Sequence, residues 1–152
     1  MKKIAFAALI LCVGFTACKK KEKEPTKTEL LQNGKWKLTG ANFNGVFDLM
    51  SSFKDCQKDN TYTFNSNKTI TADEGASKCS DTAAQSKTDG SWALISNESQ
   101  LSISGSSITG AFGSASIAGN IITLNNTTLQ IKKDTTVSGI KGSANITFTN
   151  VK

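Results

Sequence analysis

From Leu30 onward, apolar residues recur at every second position in short runs separated by Asn, Ser, Thr and Gly. A period of two is the signature of strands with one buried face, and it does not fit a helix. The runs carry Trp36 and Leu38, Tyr62 and Phe64, Ile70 and Ala72, Trp92 and Leu94, Leu101 and Ile103, Ile122 and Leu124, Leu129 and Ile131, and Ile146 and Phe148. Turn signals lie between them at Asn65-Ser66-Asn67, Ser96-Asn97-Glu98-Ser99, Gly119-Asn120 and Asn125-Asn126, residue types that tolerate hairpin conformations. The pattern predicts an all-β domain, an antiparallel meander of about eight strands closing into a barrel or folding as a sandwich. Two stretches differ. Val46, Phe47, Leu49, Met50 and Phe53 are spaced as on a short amphipathic helix near 46–53, a candidate lid. Ile108 to Asn120 is rich in Gly, Ser and Ala, and reads as a weakly specified strand pair or a loop.

The start of the chain follows other rules. Lys2 and Lys3 precede an apolar run, and Ile4 to Ala17 is 14 residues, short of the roughly 20 that a spanning helix needs. Charge, apolar length and small residues fit a cleaved leader. Phe15-Thr16-Ala17-Cys18 resembles a lipoprotein signal. That resemblance implies cleavage after Ala17 and a diacylglyceryl thioether on Cys18, which with a further acyl chain is a stable anchor. The plainer alternative is an ordinary secretory leader with an incidental Cys. Lys19 to Lys27 holds no apolar residue and one Pro, and reads as a solvated tether. The organisation predicted is therefore a signal peptide over 1–17, a lipidated Cys and flexible charged tether over 18–29, and one β domain over 30–152.

The formal charge of +6 is concentrated in leader and tether. From Leu30 onward 11 Lys face 9 Asp and Glu. A domain so nearly neutral, in a chain without Arg, lacks the basic face that nucleic-acid binding needs. No nucleic-acid partner is expected. The chain also has no His, which removes the commonest general base and metal ligand. No Ser, Lys or Cys stands in a nucleophile motif. Asp55, Asp59, Asp73 and Glu74 lack the spacing of a calcium loop and read as solvated turn charges. We expect no enzyme, no catalytic residue, no metal and no cofactor.

Beyond the leader and Cys18, the cysteines are Cys56 and Cys79. Tyr62–Asn65 and Lys68–Asp73 read as one hairpin turning at Ser66-Asn67. The two cysteines flank it almost evenly, so they meet at its open end. In an oxidising compartment a disulfide is expected; the rivals are free thiols and a metal site, for which further ligands are lacking.

Asn33-Gly34-Lys35-Trp36-Lys37-Leu38 opens the domain with Gly-x-Trp, and Gly90-Ser91-Trp92-Ala93-Leu94 repeats it. With Tyr62-Thr63-Phe64-Asn65, Thr71-Ala72-Asp73-Glu74-Gly75, the Cys pair and Thr128-Leu129-Gln130-Ile131, the ordered set resembles the lipocalin-like domain of small Gram-negative lipoproteins. The resemblance implies a lipocalin-like β-barrel held at the outer membrane by its N-terminal lipid, facing either the periplasm or the cell surface. It also implies a binding protein of the cell envelope for a small apolar ligand. Trp36, Leu38, Tyr62, Phe64, Trp92, Leu94 and Leu101 are then the candidate ligand-lining residues. The alternative is a filled β core that serves as a protein-interaction or inhibitor module for an envelope protein, with the Gly-rich 105–120 segment as contact.

Overall fold

The computed structural model describes residues 23–109, 112 and 114–152. The leader, Cys18 and the start of the tether lie outside the described residues. Nine strands form one antiparallel sheet: β1 (Lys35–Phe43), β2 (Phe47–Asp48), β3 (Thr61–Phe64), β4 (Thr69–Asp73), β5 (Ser86–Ile95), β6 (Gln100–Ser104), β7 (Ser116–Leu124), β8 (Thr128–Val137) and β9 (Ile140–Val151). From β3 to β9 each strand pairs with the next, and β1 pairs with both β3 and β9. The sheet thus closes into the expected eight-stranded meander barrel, with the two-residue β2 attached to β1. Closure leaves this ring no free edge.

One end of the barrel is shut by a short helix, α1 (Lys27–Gln32). Its start is specified locally by a capping box. Glu29 N–H donates to Thr26 Oγ1 at 3.2 Å, and Thr26 N–H donates to Glu29 Oε2 at 2.6 Å. Leu30 and Leu31 are buried beneath the barrel. This helix overlaps the end of the segment 18–29 that was expected to be tether. Four polar residues precede the first leucine, and a capping box followed by apolar residues can start a helix with no longer period to announce it.

Inside, the alternation holds with three phase shifts. On β1, Trp36 and Leu38 are buried, and then Ala41 and Phe43, because a bulge intervenes between Leu38 and Gly40. On β5 the register against β4 shifts beside Gly90. On β7 it shifts between Ile121 and Thr123. An extra residue in one strand turns every later side chain to the other face. That corrects one assignment: Ile122 is not an inward residue but an unpaired one, 54% exposed. Ile117, Ile121 and Leu124 carry the inward stripe of β7 instead. Gly119-Asn120 is likewise not a turn but the middle of that strand.

The stretch 46–53 is helical only as a 3-10 turn at Met50–Ser52, preceded by β2. An amphipathic helix is not formed, since Val46 and Phe47 are exposed and only Phe53 is buried. Two further one-turn helices, α2 (Asp55–Lys58) and α3 (Ser106–Thr109), lie in the connections at the end opposite α1.

Candidate functional site

The two Gly-x-Trp motifs have the same structural cause. Gly34 has φ +104°, and a side chain there would strike Asn150. Gly90 lies against the Ser104 carbonyl so closely that a Cβ has no room. Both glycines have a positive φ that side-chain-bearing residues rarely adopt, and the Trp two positions on is buried in each case. Trp36 Nε1 donates to the Leu31 carbonyl at 2.8 Å, tying the barrel floor to α1. Trp92 Nε1 donates to the Asn65 carbonyl at 3.1 Å, and Lys68 Nζ lies 3.8 Å above its ring.

These tryptophans belong to a continuous core with Leu38, Tyr62, Phe64, Leu101, Ile103, Leu129, Ile131 and Phe148. Phe64 meets Trp92 edge-on at 5.8 Å, and Tyr62 meets Phe148 edge-on at 6.3 Å. Of the seven residues expected to line a ligand, Trp36, Leu38, Tyr62, Phe64, Trp92 and Leu101 are buried in this packing, and Leu94 packs partly buried at its margin. None of the seven lines either cleft described below. The candidate lining residues are therefore the barrel core.

The open space is at the other end. A cleft of about 220 Å³ lies between the upper β8–β9 hairpin, the 3-10 turn and Phe112. A second, of about 240 Å³, lies beside it between the tips of β1–β2 and β8–β9. The two share Leu49 and Val137 as a common wall. Their linings differ. The first mixes Ile117, Phe112, Ala144 and Ile146 with Lys133 and Thr135. The second is formed by Phe43, Phe47, Leu49, Val137 and Ile140, with Ser138 as its polar member. Lys133 enters by simple alternation. On β8 the more buried positions are Leu129, Ile131, Lys133, Thr135 and Val137. The signal was present in sequence, but Lys132-Lys133-Asp134 reads as a solvated charge run unless the phase from Ile131 is carried forward.

A roof of polar and aromatic contacts flanks the clefts. Phe53 packs edge-on against Phe112 at 5.1 Å. Tyr62 Oη donates to the Ser107 carbonyl of α3 at 3.1 Å, while Ser107 N–H donates to Asp89 Oδ2 at 2.8 Å. Burial pushes the Tyr62 phenol up to about 12, and the nearby acids Asp89 and Glu74 push the same way. The Cys56–Cys79 disulfide is formed, with Cα atoms 5.1 Å apart. It closes the open end of the β3–β4 hairpin as its flanking positions implied. Nearby, the Asn60 amide nitrogen donates to the carbonyls of Cys56 and Glu74, both at 3.0 Å. Asp59 Oδ2 accepts from Ala76 and Ser77 N–H at 2.9 and 2.8 Å. The acidic residues here brace a loop. Among the described residues no group of three or more His, Cys, Asp or Glu could hold a metal ion.

A family model for the lipocalin-like domain matches residues 33–131. Among solved structures, the chain is similar to a lipocalin-like protein from Bacteroides uniformis ATCC 8492. That match has 15% identity and a TM-score of 0.49, and it covers 79% of this chain and 98% of that one. No curated protein matches the chain.

Proposed function

The chain belongs to the lipocalin-like domain family, and on that premise we propose that it is a lipid-anchored binding protein of the cell envelope for a small apolar molecule. The binding surface is the pair of clefts at the barrel mouth and not the barrel core. The observation that carries this reading is the adjoining pair of clefts with mainly apolar walls. Each is below the roughly 300 Å³ at which sites for drug-sized ligands begin. A ligand held by one alone is small, and one spanning both is elongated. In this reading Cys18 carries the lipid and the outer membrane is the location. Residues 23–26 lead into the barrel at its α1 end, opposite the clefts.

Two experiments test the two halves of the proposal. The first is a fluorescence titration of the chain with N-phenyl-1-naphthylamine, a neutral apolar probe. Saturable binding is expected, and Ala144→Leu, which fills the first cleft, should weaken it without lowering the melting temperature. Failure of the probe to saturate would refute the binding reading. The second is fractionation of Cys18→Ser, which should move the protein from the membrane to the soluble fraction. An unchanged distribution would refute the anchor.

A second reading has its own support. Val46, Phe47 and Ile140 are 79%, 60% and 57% exposed at neighbouring hairpin tips, an apolar patch of the kind that contacts a protein partner. The Gly-rich segment is a poorer contact, because Phe112 turns inward onto Phe53. Crosslinking from position 46 to one discrete envelope protein, with no probe binding, would favour this module.

A further inference from the structure

We propose that the upper edge of β8, from Lys133 to Val137, docks an extended segment of a partner protein, which adds to the sheet as a further strand and sets an acidic side chain opposite Lys133. The inference is independent of the small-ligand reading and uses backbone groups for which that reading has no role.

Three observations carry it. The first is the register. β8 pairs with β9 along its whole length, ending with Val137 opposite Ile140. With β7 it pairs only as far as Lys132, opposite Asn120. The closed ring stops there, and the β8–β9 hairpin continues past it with the β7 side of β8 uncovered. The hairpin turns on Ser138 and Gly139, whose φ values are 49° and 81°. In a two-residue turn of this kind the flanking pair, Val137 and Ile140, exchanges both backbone bonds. Alternation then turns the N–H and C=O of Thr135 and Lys133 to β9, and those of Thr136 and Asp134 away from it. Among the described residues no strand takes up these outward groups. Two donors and two acceptors in line at strand spacing are a template for strand addition.

The second observation is space beside the edge. Lys133, Thr135, Thr136 and Val137 all line the first cleft, together with Ile117 of β7. An added strand finds room there for its inward side chains, against apolar walls. The third observation is charge. The inner face of the edge carries Lys133, Thr135 and Val137, while Asp134 alternates to the outer face. Among the described residues no ion pair or hydrogen bond includes Lys133. An inward lysine on a free edge repels a purely apolar strand. It also disfavours a second copy of this chain, whose matching face would bring another lysine and no acid. A strand with a carboxylate on its inward face turns the same ammonium into a charge-assisted contact. Edge and lysine together therefore select an extended segment in which an acidic residue stands two positions from a β-branched one.

The probe is the peptide acetyl-Ser-Thr-Val-Thr-Val-Thr-Glu-Ser-amide, titrated into the isotope-labelled whole chain and followed by nuclear magnetic resonance. Saturable binding is expected, with the amide signals of Asp134 and Thr136 moving. Exchanging the Glu of the peptide for Lys should weaken binding about tenfold, the scale of one charge-assisted contact. Lys133→Glu in the protein should reverse that order. The same peptide methylated on the backbone nitrogens that face the edge should not bind. Thr136→Pro, which removes an N–H that β9 does not use, should block the unmethylated peptide. A peptide preference unchanged by Lys133→Glu would overturn the acidic partner. Equal binding of the methylated peptide would overturn strand addition, and no binding of the Glu peptide would overturn the whole proposal. A dimer of the unaltered chain in sedimentation, dissolved by Thr136→Pro, would assign the edge to a second copy and overturn the choice of partner.

Discussion

The two halves of the barrel are built from the same strands, yet only one of them is full. Near α1 the inward positions carry Trp36, Leu38, Phe64, Trp92, Leu101, Leu129 and Phe148, all 3% exposed or less. Toward the mouth the same stripes run out into Lys133 and Thr135 on β8 and Ala144 on β9. Large aromatic side chains fill the lower space, and small or polar ones leave the upper space open. The difference shows that a cleft in a barrel this small depends on which residue type occupies each inward rung.

The sharpest way to break the comparison is to empty the lower half. Trp92→Ala removes a ring packed on Phe64, stacked under Lys68 and hydrogen-bonded to Asn65. The expected loss is about 3–5 kcal/mol of unfolding free energy, measured by urea denaturation. A loss below about 1 kcal/mol would mean that the lower half is as loosely filled as the mouth.

The disulfide tests the upper half as a whole. Cys56 and Cys79 are 23 residues apart, a loop for which the chain-entropy model gives about 3 kcal/mol. The double substitution Cys56→Ser, Cys79→Ser is expected to lose that much in the same assay. If it loses nothing, the polar braces at Asp59 and Asn60 hold the loop unaided.

How much of this was legible in the sequence divides along the same line. The lower half was, because Trp, Tyr, Phe and Leu at period two leave little choice of face. The strand count, the hairpin order and the Cys pair followed from that pattern and its turns. The phase shifts after Leu38 and beside Ile122 were not legible, because a bulge adds one residue without changing composition. Ile122 was therefore placed inside when it lies outside. The clefts were missed for a related reason. An inward lysine looks like a solvated one until the register is known, and the aromatics named as candidate lining residues are packed together in the core.

Tyr62 sits at the boundary between full and open halves and gives a spectroscopic handle there. It is the chain's only tyrosine, so the ultraviolet absorbance of the phenolate reports it alone. Burial holds its folded pKa at about 12 against an ordinary 10.0. The raised value means that the neutral form is favoured by folding. This contribution is complete below pH 10 and is lost as pH rises toward about 12, a span worth roughly 2–3 kcal/mol. Tyr62→Phe should remove that part of the alkaline slope. A phenol titrating near pH 10 in the folded chain would show that water reaches the boundary and that the lower half is not sealed.

The smallest stability effect is expected where the comparison matters most for binding. Phe47 is 60% exposed, on the two-residue β2 at the rim. Its ring is already largely in water when no ligand is bound, so Phe47→Ser should change unfolding free energy by no more than about 0.5 kcal/mol. A core aromatic of the same size would cost several times more. A destabilisation above about 2 kcal/mol would show that Phe47 closes the second cleft in the free protein, and that the mouth is packed after all. Near-neutral stability would leave Phe47 without a role in folding.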